Sequence, residues 1–376
     1  MDKACVFQSR RAYLLASTAI LLAGAIAMAP PALASNECGP LADEVTCTSA
    51  GNNYPNGIDY EPVTDLTLIV EDGVNIDSGA NDGINITRVS PNTPNIYLYV
   101  YDTDSTVDIM TSDDGIYVRG SFDPDYSVTI RNEAEITSGG YGIRTRYTTN
   151  VNIDNSGGIV SVKDGIRMAA NAAAVNQSSL FAITNSGTIQ TTGGSANGIT
   201  ASGSGTTNNS GTIITHGNGG DGIDATAYGL VNIYNDGEIE TYGESAHGIR
   251  IGAGSGGRPR AYSSGTITTH DKSSRGIYVG AGDNVVVTVS GDIVTGKNYK
   301  DDPTTNSYAQ GILVKNSPGY AKVKLEEGGG IATYGGQAHG IYVLSVGDNA
   351  ATDYVKVEVY DDIVTDGENS LGIFVK

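Results

Sequence analysis

The sequence predicts an all-β chain: a right-handed parallel β-helix of three short strands per coil and about 11–12 coils. Three observations carry this. A G-I-x-h signal, with h usually apolar, begins at Gly57, Gly83, Gly115, Gly142, Gly165, Gly198, Gly222, Gly248, Gly276, Gly311, Gly340 and Gly372, a mean period near 29 residues. An isoleucine followed two residues later by Ser or Thr falls once in each interval, at Ile76, Ile109, Ile136, Ile159, Ile189, Ile213, Ile239, Ile267, Ile293, Ile331 and Ile363. Finally, 51 Gly, 22 Tyr and no Trp accompany local alternation such as "VNI" at Val151 and "VKV" at Val355, which is strand periodicity.

The first strand of each coil follows G-I, where glycine fits a sharp bend or a positive φ. The second strand is centred on Ile-x-Ser/Thr. The third is placed six residues before that isoleucine, at Val70, Thr103, Ile130, Ile153, Ile183, Thr207, Ile233, Ala261, Val287, Leu325 and Val357; nine of these eleven are apolar. Strands this short do not fold alone, but stacked coils complete one another's core. At roughly 4.8 Å per coil, the expected rod is about 50–55 Å long. The period excludes a propeller of 40 or more residues per blade, and the scarcity of Leu and of helical periodicity excludes leucine-rich and helical repeats. Three strands per coil favour the right-handed, pectin-lyase-like form.

The amino terminus reads as a targeting segment spanning 1–34. "MDKACVFQSRR" is cationic, "AYLLASTAILLAGAIAMA" is apolar, and "ALA" at Ala32–Ala34 supplies small residues for cleavage. A membrane anchor is the alternative, and the paired arginines also fit a twin-arginine signal. Residues 35–56 form a lead-in or cap. Its two cysteines, Cys38 and Cys47, lie nine apart just after export and read as a disulfide, with free thiols as the alternative. The repeat region spans 57–376. A formal net charge of -20 disfavours nucleic acid and anionic lipid.

The spacing from central isoleucine to the next G-I is six to nine residues, except for eighteen between Ile293 and Gly311. Insertions cluster at 85–106, 167–182, 294–310 and 342–354, and loops that break a solenoid's frame are its candidate binding surfaces. The strongest candidate is "VTGKNYKDDPTTNSYAQ", with Lys297, Tyr299, Lys300, Asp301, Asp302 and Tyr308.

Several fragments imitate chemistry. "TSDDG" at Thr111 and "AHG" at Ala246 and Ala338 resemble segments of polygalacturonases. However, His247 and His339 are three coils, roughly 14 Å, apart and do not converge as acid–base catalysis requires. "GGDGID" at Gly219 matches a calcium-turn pattern once, without the consecutive turns such a site needs. His216 and His270 share a repeat position with Tyr242 between them, and lack further zinc ligands. No catalytic, metal or cofactor-binding residue is therefore assigned, and no cofactor is expected.

The "NSGTIxT…GI" repeats, the cleavable signal and the lead-in "ECGPLADEVTCTSAGNNYPNGIDY" (Glu37–Tyr60) resemble the passenger of a bacterial autotransporter, the type V secretion family, of the alphaproteobacterial kind. The resemblance implies export, an outer-membrane translocator barrel as partner, and display or release at the cell surface. It also implies a role as stalk or adhesin in adhesion, aggregation or biofilm, meeting host or neighbouring-cell glycans or proteins. The alternative is a pectin-lyase-like polysaccharide lyase or hydrolase. The chain stops at "GIFVK" without a barrel pattern, so it is expected to be a fragment of a longer protein, a truncated product, or one half of a two-partner system.

Overall fold

The computed structural model describes residues 37–87, 95–103, 106–120, 126–169, 179–254, 256–302, 304–305, 307–315, 319–344 and 354–376. Residues 34–376 form one compact unit; the expected targeting segment lies outside the described residues, as do parts of the insertions expected at 85–106, 167–182 and 342–354. Among the described residues there are thirty-three short strands, with 3-10 turns at Ser49–Gly51 and Lys297–Tyr299.

The architecture is a parallel β-helix. The strands centred on Ile-x-Ser/Thr form one eleven-stranded sheet, from Asn75–Gly79 to Ile363–Asp366. The strands after G-I and the third strands form the other sheet. These two sets merge because the strands Ile199–Asn209 and Ile223–Asn235 run through both positions without a break. The central isoleucines pair in register from Ile76 to Ile363. The G-I isoleucines do so from Ile58 to Ile373. Before the final coil these side chains are buried almost completely.

The third ladder needs a correction. It runs Leu68, Leu98, Ile130, Ile153, Ile183, Thr207, Ile233, Ala261, Val287, Val323, Val357. Val70 and Leu325 stand two residues further along the strand, and Thr103 lies beyond its strand's end at Val100. The cause is corner length. A two-residue slip preserves the face a side chain points to, so alternation alone does not reveal it.

Two residues past the rungs of the middle coils, Ile130 to Ile233, lies a buried polar row. Asn132, Asn155, Asn185, Asn209 and Asn235 stack in register, each at most 1% exposed. Each Nδ2 donates to the next coil's Oδ1 at 2.8–2.9 Å, and Asn235 donates to Ser263 Oγ at 3.2 Å. The same amides donate to a corner carbonyl two residues on, as Asn185 does to Gly187 O at 3.1 Å. The Ser or Thr after each central isoleucine does parallel work. Thr191, Thr215, Thr241 and Thr269 donate to the carbonyls of Ala196, Gly220, Ala246 and Ser274 at 2.6–3.0 Å. These bonds satisfy backbone groups that the corners turn away from the sheets.

The glycine of G-I is required by close approach rather than by φ. Of the twelve, only Gly57 has a positive φ, at 80°. At Gly198 a Cβ would collide with Ile213 Cγ2 and with the carbonyl of Gly222, and the same pair of contacts recurs at Gly83, Gly115, Gly142, Gly222, Gly248, Gly276, Gly311 and Gly340.

Gly198→Ala is expected to cost about 1–3 kcal/mol by overpacking, whereas Gly194→Ala, which meets open space, is expected to be neutral or stabilising by up to about 1 kcal/mol. Urea midpoints combined with hydrogen exchange at Ile213 and Gly222 measure the difference. Asn185→Ala leaves partners in two coils unsatisfied and is expected to cost roughly 2–5 kcal/mol, read as lost exchange protection in the flanking coils.

Candidate functional site

The densest set of titratable groups lies along the corner that precedes G-I. One residue there faces its counterpart in the next coil, and its side chain accepts that counterpart's backbone N–H. Asp114 N donates to Asp82 Oδ1 at 3.1 Å, Tyr141 N to Asp114 Oδ1 at 2.9 Å, and Asn197 N to Asp164 Oδ1 at 3.0 Å. Asp221 N donates to Asn197 Oδ1 and His247 N to Asp221 Oδ1, both at 2.7 Å. Arg275 N then donates to His247 Nδ1 at 3.1 Å, and Leu371 N to His339 Nδ1 at 3.0 Å. In "AHG", histidine therefore plays the part that aspartate or asparagine plays in other coils.

Outward residues of the following strands supply counter-charges. Arg144 pairs with Asp114 at 3.0 Å and Arg167 with Asp164 at 3.2 Å. Arg250 lies 3.8 Å from Asp221 and 3.4 Å from Asp224, so the two aspartates of "GGDGID" face an arginine. Burial, reinforced by Asp224, pushes Asp221 up to about 8. Burial also raises Asp82 to about 6, with Asp114 and Asp113 adding to the effect. His247 falls to about 3 through burial and the nearby Arg275 and Arg250. A neutral His247 that accepts at Nδ1 carries its proton on Nε2. Arg275 is itself lowered by burial, and its guanidinium donates to Gln310 Oε1 at 3.0 Å and Ser273 O at 3.1 Å.

Asp82, Asp113 and Asp114 hold carboxylate oxygens within 4.8 Å of one another, a spacing compatible with a cation. Two of the three already accept backbone amides, and Asp114 also pairs with Arg144.

The loop singled out by its length closes over the corner after Ile293. Gly296, at φ 64°, opens the turn Lys297–Tyr299. Lys297 Nζ reaches back to Glu240 Oε1 at 3.9 Å, and Tyr299 Oη donates to Asp271 Oδ1 at 2.8 Å. Burial and this aspartate push the Tyr299 hydroxyl up to about 12. Lys300 instead lies over the Tyr334 ring of the following coil, 5.7 Å from its centroid. Asp302 accepts from the hydroxyls of Thr304 and Thr305 at 2.9 and 2.7 Å, while Asp301 and Tyr308 are exposed. These six side chains thus fasten the loop to its neighbours or face solvent, rather than converging on one point.

Beside the loop is an arrangement the sequence reading did not resolve. His216, Tyr242 and His270 stack face to face, with centroids 5.0 and 4.1 Å apart. Tyr242 separates the two histidines. His270 Nε2 is 2.7 Å from Glu240 Oε1, and His216 Nε2 is 3.1 Å from Gln190 Nε2. The column of outward rings is a by-product of in-register stacking, and the shared repeat position was its only sequence signal.

Before the repeats, Cys38 and Cys47 are joined by a disulfide, with Cα atoms 4.7 Å apart. Cys47 ends the strand Glu44–Cys47, which adds to the edge of Leu66–Val70 and covers the first coil.

No family model, curated protein or solved structure matches this chain.

The His247 bond gives a pH signature. The folded chain depresses this histidine from 6.5 to about 3, so its stabilisation is present above about pH 6.5 and is lost as pH falls toward 3. His247→Asn keeps an acceptor, as Asn197 does, and removes the titration. The variant is expected to lose less stability than the parent between pH 7 and pH 4 in urea midpoints. Identical pH profiles would refute this role for His247.

Proposed function

We propose that the chain is a surface-displayed β-helical passenger of the autotransporter kind, acting as a structural stalk or adhesin in contacts between cells. The observation that supports this best is the use to which its titratable residues are put. The Asp, Asn and His side chains of the G-I corner serve as acceptors for the next coil's amides. A catalytic set needs groups that converge on a reacting atom and are available for proton transfer, whereas these are engaged in joining coil to coil. The cleavable-signal pattern and the lead-in disulfide accord with an exported protein.

The competing reading, a polysaccharide lyase or hydrolase on the same architecture, draws on the close carboxylates of Asp82, Asp113 and Asp114.

One experiment separates them. In the bacterium that carries the gene, protease is added to intact cells, and clumping is compared with and without the gene. Display predicts cleavage of the protein on intact cells and reduced sedimentation of the deletion strain. Protection from protease together with unchanged clumping would remove the proposal. Release of reducing ends or unsaturated sugars from acidic polysaccharides by the exported chain would favour the enzyme.

A further inference from the structure

The basic residues are unevenly placed along this acidic chain. Residues 37–114 hold fifteen Asp and Glu but a single basic residue, Arg88, and no Lys or Arg lies between Arg167 and Arg250. Between these stretches, three successive strands, Ile116–Arg119, Ile143–Arg146 and Ile166–Ala169, pair in register. Tyr117, Arg144 and Arg167 make one outward row, and Arg119 and Arg146 a second. Lys163 stands exposed at the adjoining corner.

These cations rest on tyrosine rings. Arg144 lies 4.6 Å from the Tyr141 centroid and 5.3 Å from that of Tyr117; Lys163 and Arg167 lie 5.0 and 5.3 Å from Tyr141. Arg119 and Arg146 lie 5.5 and 4.8 Å from Tyr147, and Arg146 Nη2 donates to its hydroxyl at 3.0 Å. Arg144 and Arg167 have aspartate partners, but among the described residues Arg119, Arg146 and Lys163 have no carboxylate within ion-pair distance. A guanidinium held against a ring keeps its full charge and leaves N–H edges for planar or tetrahedral anions.

The rows repeat once per coil, about 4.8 Å, and stand roughly 6.6 Å apart along the strand. That lattice suits a linear polymer whose charges recur sugar by sugar. Tyr117 and Tyr141 add phenolic hydroxyls, which bond to sugar hydroxyls. The patch is only three coils deep and adjoins the acidic coils of residues 37–114. A DNA duplex or an anionic membrane, with its broader charged surface, would meet those acids as well.

We propose that this arginine–tyrosine face binds a polyanionic polysaccharide carrying carboxylate or sulfate groups on successive sugars. This rests on the adhesin reading and names the chemistry of its partner. The test uses the purified exported chain, independent of cells, against immobilised heparin, polygalacturonate, neutral dextran and duplex DNA at moderate salt. Binding is expected to heparin or polygalacturonate, the responsive arm identifying the anionic group, with little to dextran or DNA. The double variant Arg119→Gln/Arg146→Gln is expected to bind roughly tenfold or more weakly, with an unchanged circular dichroism spectrum. Lys322→Gln/Lys356→Gln, on another strand set, is expected to keep the parent's affinity. If the double arginine variant misfolds, the exposed Lys163→Gln replaces it, with a smaller loss expected. Parental affinity in the arginine variant, equal binding to dextran, or equal binding to DNA would each overturn the proposal. Because the assay needs no cells, its failure is distinguishable from a failure of surface display.

Discussion

The solenoid depends on one constraint: backbone hydrogen bonds between strands run along its axis, so each residue lies on its counterpart one coil away. Like therefore stacks on like. Isoleucine tolerates this well, because a branched apolar side chain packs against a copy of itself and excludes water. Glycine is imposed where a coil's central isoleucine methyl presses against the backbone of the G-I corner, as Ile213 does at Gly198. The repeated, chemically quiet letters are the ones this geometry selects.

Corners pose the opposite problem, since there the backbone leaves the sheets and its polar groups need other partners. The chain answers with three side-chain devices. Asparagine bonds both to the next coil and to its own corner, as at Asn185. Threonine reaches forward to a carbonyl, as at Thr191. The residue before G-I lends an acceptor to the following amide, as Asp221 does for His247. Only the last device uses titratable groups, which is why the most perturbed acids and the most perturbed histidine gather there.

Much of the fold was legible because apolar period and glycine spacing are local signals. Both isoleucine ladders stand where counting placed them. The third ladder was partly misplaced because Val70 and Leu325 share a face with the true rungs, and a fixed count of six cannot register an extended corner. The role of Asn185 is not legible in the sequence, because asparagine before Ser-Gly is equally suited to an exposed turn, whereas here its amide is buried in the interior. The loop residues Lys297 to Tyr308 were legible as an interruption, but their separate anchors were not, since Glu240, Asp271 and Tyr334 come from other coils. The Arg119–Arg146 row is not legible in the sequence because it contributes only one or two basic residues per repeat, a pattern visible only once strands lie side by side.

The asparagine ladder also bears on how such a gene changes length. Between Asn185 and Asn209, and again between Asn209 and Asn235, each coil receives a hydrogen bond on one side and gives one on the other. A coil copied whole into this stretch would bring its own donor and acceptor, its own glycines and its own isoleucines, and would leave no type of contact altered. Gain or loss of a whole coil here would therefore lengthen or shorten the protein by one step at a time, with folding as indifferent to the count as a stack of coins is to its height.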